Sequence, residues 1–586
     1  MKKINVITLG CSKNTVDSEH LMARLAAAGY EVVFDSDRTD AKVVVINTCG
    51  FIGDAKQESV DMILRAAAAK QAGKIERLFV VGCLSERYAD ELRAEIPEVD
   101  EYFGARTWDG IVRALGASED PALATERRLT TPRHYAYLKI SEGCNWKCGY
   151  CAIPLIRGAH VSVPMEVLEE EARKLAAQGV REVMVIAQDT TYYGIDLYGR
   201  RMLAELLRRL CRIDGIEWLR LHYAYPTGFP EEVIEVMAAE PKICKYLDIP
   251  FQHISDAQLA AMHRRHTKAE AMELIRRLRT AIPDLALRTT LLVGYPGETE
   301  ADFEELLEFV REVRFERLGV FAYSEEEGTY SAEKLRDDVP ETVKQERVER
   351  IMALQNEISL ENNRRRVGST ERVIIDSRQG DFYVGRTQYD SPEVDQEILI
   401  PVGGKRLLRG HFYDGHLGCG LRSIRKSPRK IIFVNYRSFS YLWCRNDTFS
   451  RSESFAGPHA IPFWNRPVFF LPLKNKPGPL PKTMADKSVI TNLEARVKQL
   501  IDDHKRLSEL CSELTAQRDT LRSEKRTLEE RVRELDAELA RMQLTEGLAG
   551  ESRNREKARA RVNRLMREVD KCIALLGQPL AVPKAE

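Results

Sequence analysis

The sequence predicts an α/β protein built in series: an N-terminal parallel α/β domain, a partial (βα)6 barrel, a small β-barrel, an irregular linker and a C-terminal α-helical coiled coil. Three observations carry this reading. Strand and helix patterns alternate from the first residues to about 322, as parallel strands with helical crossovers require. Short alternating strands separated by Gly- and Pro-rich turns occupy 370–413. Leu500, Leu507, Leu514, Leu521, Leu528 and Leu535 recur every seven residues, the spacing of a helical seam. The 586 residues suggest about four domains at the usual ~150 residues each, and the pattern places boundaries at 1–115, 130–365, 366–420, 421–483 and 484–586.

Lys plus Arg and Asp plus Glu both number 89, so net charge points to neither a nucleic-acid nor a membrane partner. After Lys2 and Lys3 the apolar run is broken by Asn5 and Thr8 and stops at Gly10, too short for a secretory core. No segment approaches the ~18 apolar residues of a transmembrane helix. A cytoplasmic protein with no membrane partner is expected. The 12 cysteines then argue for metal or redox chemistry rather than disulfides, because cytosolic thiols are kept reduced.

In the first domain, strands are predicted at 4–9, 43–46 and 78–81, with helices at 16–28 and 55–72 between them. A cysteine follows each strand: Cys11, Cys49 and Cys83, the first and last preceded by glycine. Parallel strands bring their carboxyl ends to one edge, so these distant thiols can meet there. Singly, each is more often a buried packing residue. The repeated strand-then-cysteine placement predicts a cluster site.

The barrel opens with a strand at 135–140 that leads into Cys144, Cys148 and Cys151, a CxxxCxxC loop of three thiols with no obvious fourth ligand. A structural zinc site wants four ligands, whereas a four-iron cluster on three cysteines keeps one iron open. A zinc knuckle or an accidental grouping is the alternative at this point. Further strands at 183–187, 219–223, 246–249, 287–293 and 318–322 alternate with amphipathic helices at 167–177, 203–211, 269–281 and 302–313, giving six βα units. Polar residues follow the strands: Gln188, Asp189 and Thr190; Tyr225; Gln252 and His253; and the turn from Gly294 to Glu298. They read as a ligand rim or as ordinary βα loop chemistry. Cys211 and Cys244 lack metal-like spacing and read as packing residues.

Strands of the small β domain are predicted at 373–375, 382–386, 397–400 and 411–413. From Asp414 to Ser423 the alternation that would supply closing strands is absent, and 421–483 carries 12 Lys or Arg against two acids, with eight prolines. Basic residues mixed with aromatics can bind single-stranded nucleic acid, but lost periodicity and abrupt compositional change favour an irregular, disordered or frameshifted linker. From Met484, the leucine heptads with Val497, Val532 and Leu539 mark a coiled coil, interrupted in its seam by His504, Arg518 and Lys525. Self-association of this tail is expected.

Three dispersed cysteines, the CxxxCxxC loop and the small β domain together resemble the methylthiotransferase family of radical S-adenosylmethionine (SAM) enzymes, over residues 1 to about 413. The wording of 9–19, 187–194 and 249–254 is most similar to the RimO type, which modifies an aspartate of ribosomal protein S12. Relatives acting on transfer-RNA adenosine read Gln-Met where this chain has Ser12 and Lys13.

The resemblance implies two [4Fe-4S] clusters, one on Cys144, Cys148 and Cys151 that cleaves SAM and an auxiliary one on Cys11, Cys49 and Cys83. It also implies SAM contacts, for which Tyr150, Gln188, Gln252, Gly294 and Glu298 are the candidates. One SAM would supply the methyl group, and a second would supply the radical that takes hydrogen from the aspartate β-carbon. Implied partners are ribosomal protein S12 or the small ribosomal subunit, a sulfur donor and an electron donor. The β domain resembles a TRAM domain, in which Arg386, Lys405, Arg406 and Arg409 either meet RNA or a ribosomal surface or form a solvated exterior. The competing readings are a transfer-RNA adenosine methylthiotransferase and a non-catalytic coiled-coil scaffold.

Overall fold

The computed structural model describes residues 2–418 and 430–434, apart from 37–39, 52, 108–109, 117–120 and 404–405. The chain divides into two units, 1–456 and 457–586, and the expected coiled coil lies outside the described residues.

Five parallel strands form the first sheet: β1 (Lys3–Thr8), β2 (Glu31–Phe34), β3 (Val43–Thr48), β4 (Arg77–Gly82) and β5 (Glu101–Gly104), in the order β2-β1-β3-β4-β5. β3 is buried along its whole length because both faces are covered. Its side chains alternate accordingly, Val43 and Val45 entering one core and Val44 and Ile46 the other. β1, β3 and β4 are neighbours, so the three cysteines that follow them share one edge.

The second sheet has the six parallel strands expected of a partial barrel. They are β6 (Tyr135–Lys139), β9 (Glu182–Ile186), β10 (Trp218–Leu221), β11 (Ile243–Asp248), β12 (Ala286–Val293) and β13 (Arg317–Ala322), paired in chain order. A short antiparallel pair, β7 (Ser141–Glu142) and β8 (Val161–Ser162), brackets the CxxxCxxC loop. Capping boxes start two of the crossover helices, Thr267 with Glu270 and Thr299 with Asp302. Val16, from the helix Ser12–Ala27 of the first domain, packs with Tyr135, Met184 and Ile186 of the barrel. The two α/β domains therefore share packing beside the cysteines.

The β domain consists of β14 (Thr370–Gln379), β15 (Phe382–Thr387), β16 (Glu397–Pro401), β17 (Phe412–Gly418) and β18 (Lys430–Val434). Here the structure corrects the sequence reading, which ended the strands at 413 and left 421–483 irregular. β17 runs on to Gly418, and β18 pairs antiparallel with β16 and parallel with β17, closing the ring β14-β15-β16-β18-β17. A five-residue strand is lost in the average composition of a long basic window.

A second correction concerns Arg386. It faces neither RNA nor solvent but is 1% exposed, with Nη2 2.7 Å from Glu182 of β9 and Nε 2.7 Å from Asp376. Glu182 also accepts from Arg220 of β10 at 2.8 Å. Arg406 and Arg409 are exposed, and Lys405 lies outside the described residues. The β15–β16 connection enters the barrel. Asp390 pairs with Arg317, Ser391 meets His222 at 3.0 Å, and Glu393 accepts from the Tyr135 hydroxyl at 2.6 Å. The β domain thereby supplies part of the barrel's interior.

Candidate active site

The loops after β1, β3 and β4 approach so closely that only glycine fits between them. A Cβ on Gly10 would stand 2.8 Å from Cys49 Cβ, and one on Gly50 would stand 2.7 Å from the Cys83 backbone. At Gly82, φ is +110° and a Cβ would fall 2.6 Å from the Thr48 carbonyl oxygen. Asn14 ties the loops together, its Nδ2 donating to the Leu9 and Thr48 carbonyls at 2.8 and 3.0 Å. Cys83 lies 3.8 Å from Asn14 Oδ1 and receives Arg157 Nη2 at 3.4 Å. Burial pushes the Cys83 thiol up, and Arg157 opposes it.

The CxxxCxxC loop is folded by its backbone. Cys144 N donates to Gly158 O, Cys151 N to Cys148 O and Gly149 N to Met262 O, all near 3.0 Å. Gly143 adopts φ +73°, with Ala159 O 2.2 Å from where its Cβ would be. Trp146 stacks on Tyr225 with centroids 4.1 Å apart and planes 7° from parallel, and its indole N–H donates to Asp189 at 2.6 Å. The Arg264 guanidinium lies 4.2 Å from the same Tyr225 ring. Cys148 Sγ is 3.7 Å from Arg264 Nη1 and 3.8 Å from the Tyr225 hydroxyl.

Burial pushes the Cys144 thiol up to about 12 and pushes that of Cys151 up as well, and the nearby Cys148 sulfur adds to both. Sulfurs as desolvated as those of Cys144 and Cys151 become thiolates only against a cationic group, and thiolate sets suit iron-sulfur clusters. Among the described residues no three His, Cys, Asp or Glu side chains converge on a single-ion site. A cubane spreads its ligands because each thiolate meets a different iron, whereas zinc gathers four on one ion. Each set offers three thiols, which leaves one iron of a cubane without a cysteine and falls one short of the four ligands of a structural zinc. Cys83 packs in one cluster with Ala152 and Ile156, immediately beyond Cys151, so the two sets stand side by side.

Between them lies a buried ionic network that sequence reasoning missed. Arg157 Nη1 holds Asp17 at 2.9 Å and Glu142 at 3.1 Å, while Lys139 binds the same two carboxylates. Burial works to raise the Glu142 carboxyl, yet Lys139 and Arg157 outweigh it and hold it at about 2. The signal available in sequence was the density of polar side chains from Lys13 to Glu19, broken only by Val16, at the start of a predicted helix. Trp146 and Arg264 were equally unmarked.

The rim residues fall into two groups. Tyr150 lies edge-on to the Tyr295 ring with centroids 6.4 Å apart, and Gln188 follows β9, half-buried. Gln252, at φ +70°, bridges to β12, its N–H donating to Thr290 O at 2.9 Å. Gly294 is required by Lys344, whose Cγ lies 2.3 Å from where a Cβ would be. Glu298 has a bracing task rather than an open one. Its buried carboxylate accepts from the backbone N–H groups of Gly294 and Tyr295 and lies 3.7 Å from His253 and 3.6 Å from Arg347. A carboxylate four residues into a tight turn can reach back to that turn's own amides, which a sequence position does not reveal. Cys211 and Cys244 are buried packing residues.

Three family models match the chain: the uncharacterized protein family UPF0004 at 3–104, the radical SAM superfamily at 138–310 and the TRAM domain at 367–416. Over 412 residues the chain is 56% identical to the ribosomal protein uS12 methylthiotransferase RimO of Bacteroides fragilis, covering 70% of this chain and 95% of that relative. Against the protein of the same name from Porphyromonas gingivalis it is 57% identical over 412 residues, again 70% and 95% of the two chains. For Christiangramia forsetii the identity is 54% over 412 residues, with 70% and 91% covered. Among solved structures, the radical S-adenosylmethionine methyltransferase TsrM of Kitasatospora setae matches with a TM-score of 0.40 and 14% identity, covering 55% of this chain and 75% of that one.

Proposed function

The chain belongs to the family of ribosomal protein uS12 methylthiotransferases, and from that membership we propose that it adds a methylthio group to the β-carbon of an aspartate in ribosomal protein S12. The observation that carries the reading is the pairing of two glycine-cradled cysteine sets on adjacent strand edges, with Cys83 packed beside the residue that follows Cys151.

Cys144, Cys148 and Cys151 would hold one [4Fe-4S] cluster and Cys11, Cys49 and Cys83 the other, each leaving one iron without a cysteine. When bound, the first supplies one-electron reduction of SAM and the second a place for the methylthio sulfur. Tyr150, Gln188, Gln252 and Gly294 line the rim assigned to SAM, with Glu298 bracing its turn. Arg264 and Tyr225 set hydrogen-bond donors against the Cys148 sulfur, and Arg157 does the same for Cys83. Trp146 and Tyr225, stacked, keep water from one side of the loop. The inserted β15–β16 connection blocks part of the barrel interior. The same reading calls for an electron donor and a sulfur donor in the cytoplasm, and the leucine heptads from Leu500 to Leu535 support self-association of the C-terminal tail.

Mass spectrometry of S12 from a deletion strain tests the reading. The methylthio mass increment on the aspartate is expected to vanish and to return on complementation with the full chain. Loss of a transfer-RNA methylthio group instead, with S12 unchanged, would overturn it.

A further inference from the structure

Lys13 stands two residues beyond Cys11, in the first turn of the helix Ser12–Ala27, and is 4% exposed. Its Nζ lies 3.2 Å from the centroid of the Tyr223 ring. Neighbouring buried cations each hold a carboxylate: Lys139 and Arg157 take Asp17 and Glu142, Arg220 takes Glu182, and Arg288 takes Asp248. Lys13 makes no ion pair or hydrogen bond among the described residues. A ring face offsets only part of the cost of burying an ammonium. Glu393, the carboxylate that the inserted connection carries inward, is engaged by the Tyr135 hydroxyl. The surroundings are electropositive: burial first, then Arg288, Arg220 and Lys13, push the His222 imidazole well below its ordinary value. Among the described residues, Lys13 is thus a buried ammonium set against a ring face and no carboxylate.

Tyr223 lies just past the carboxyl end of β10 at φ +57°, a left-handed conformation that strains a tyrosine. Two residues on, the same loop carries Tyr225, whose hydroxyl is 3.8 Å from Cys148 Sγ. One short loop thus joins the ring beneath Lys13 to the CxxxCxxC loop, and Lys13 itself adjoins Cys11. Lys13 is therefore tied to the first cysteine set by two residues of chain and to the second through the 223–225 loop.

We propose that Lys13 receives the carboxylate of the target aspartate and makes the site selective for an acidic side chain. This assignment rests on the S12 reading above. It commits Lys13 to substrate rather than to the auxiliary cluster, whose Cys83 already faces Arg157.

The test is binding of cluster-reconstituted enzyme to purified S12 and to S12 carrying Asn in place of the target Asp, with redox titration of both clusters alongside. Wild-type enzyme is expected to prefer the aspartate protein by roughly ten- to hundredfold, the range of a charge-assisted hydrogen bond. Lys13→Met should bind both proteins alike, and Lys13→Arg should keep the preference. The ratio within one variant is insensitive to the amount of folded protein. Should Lys13→Met fail to fold, Lys13→Gln carries the same comparison. A neutral variant that retains the preference overturns the assignment, as does one whose only change is the auxiliary potential. Wild-type enzyme that binds both S12 proteins equally also overturns it, leaving the S12 reading intact. Wild-type enzyme that binds neither overturns the S12 reading itself.

Discussion

Arg157 Nη2 stands 3.4 Å from the Cys83 sulfur, while its Nη1 holds Asp17 and Glu142. One buried side chain therefore touches a thiol of the first domain and neutralises carboxylates from both domains. Arg157→Met leaves Asp17 and Glu142 sharing Lys139 alone, and about 3–5 kcal/mol of stability should be lost. Arg157→Lys, which keeps charge without the planar fork, should lose less. Denaturant unfolding measures both, and a Met variant as stable as wild type would contradict the network.

Gly82 offers a cleaner separation of the two cysteine sets. Gly82→Ala places a Cβ 2.6 Å from Thr48 O at φ +110°, with expected overpacking of about 1–3 kcal/mol. Because the displaced loop carries Cys83, reconstituted protein should retain roughly half its iron, from about eight per chain to about four. Iron analysis with 5'-deoxyadenosine formation checks this, since SAM cleavage at the other set should survive.

Arg386 predicts a pH dependence. Burial works to raise the carboxyls of Glu182 and Asp376, but Arg386 leads the charges that outweigh it and hold both below their ordinary values of 4.5 and 3.8. Carboxyls depressed in the folded state stabilise it above those ordinary values, and that stability is lost as pH falls below them. Docking of the β domain should weaken below about pH 4.5, read as protease cleavage after β13. Arg386→Ala should cost about 3–5 kcal/mol near neutrality and flatten this dependence.

Trp146 is expected to act through its stack and its hydrogen bond separately. Trp146→Phe keeps a ring on Tyr225 but removes the donor to Asp189, whose carboxyl burial already pushes up. Trp146→Ala loses both, and about 1 kcal/mol from the aromatic pair alone. SAM cleavage should fall in the order wild type, Phe, Ala. An Ala variant cleaving SAM at the wild-type rate would exclude a role for the stack.

Cys11, Cys49 and Cys83 could be picked out before any coordinates because each follows a strand, and Cys144, Cys148 and Cys151 by their spacing in one loop, since parallel strands with helical crossovers gather their carboxyl ends at one edge. The glycines beside them were visible too, though not the contacts at 2.6 to 2.8 Å that exclude every other residue. The six-strand barrel was equally legible, since its hydrophobic runs are long and regular. The closing strand β18 was not, because five residues in a basic, proline-rich stretch carry little periodic signal.

Charged residues were the hardest to place. Arg157 meets Asp17 across 140 positions, and Arg386 meets Glu182 across 204. A lone Arg in sequence reads as solvated surface. Whether it is surface or the centre of a buried network depends on which domain folds against it. Local pattern was enough to mark the candidate cysteines, because residue type and the strand that precedes it are local properties. The partners of Lys13, Arg157, Glu298 and Arg386 were settled by tertiary packing alone, because Coulomb and desolvation energies depend on distance and burial in three dimensions.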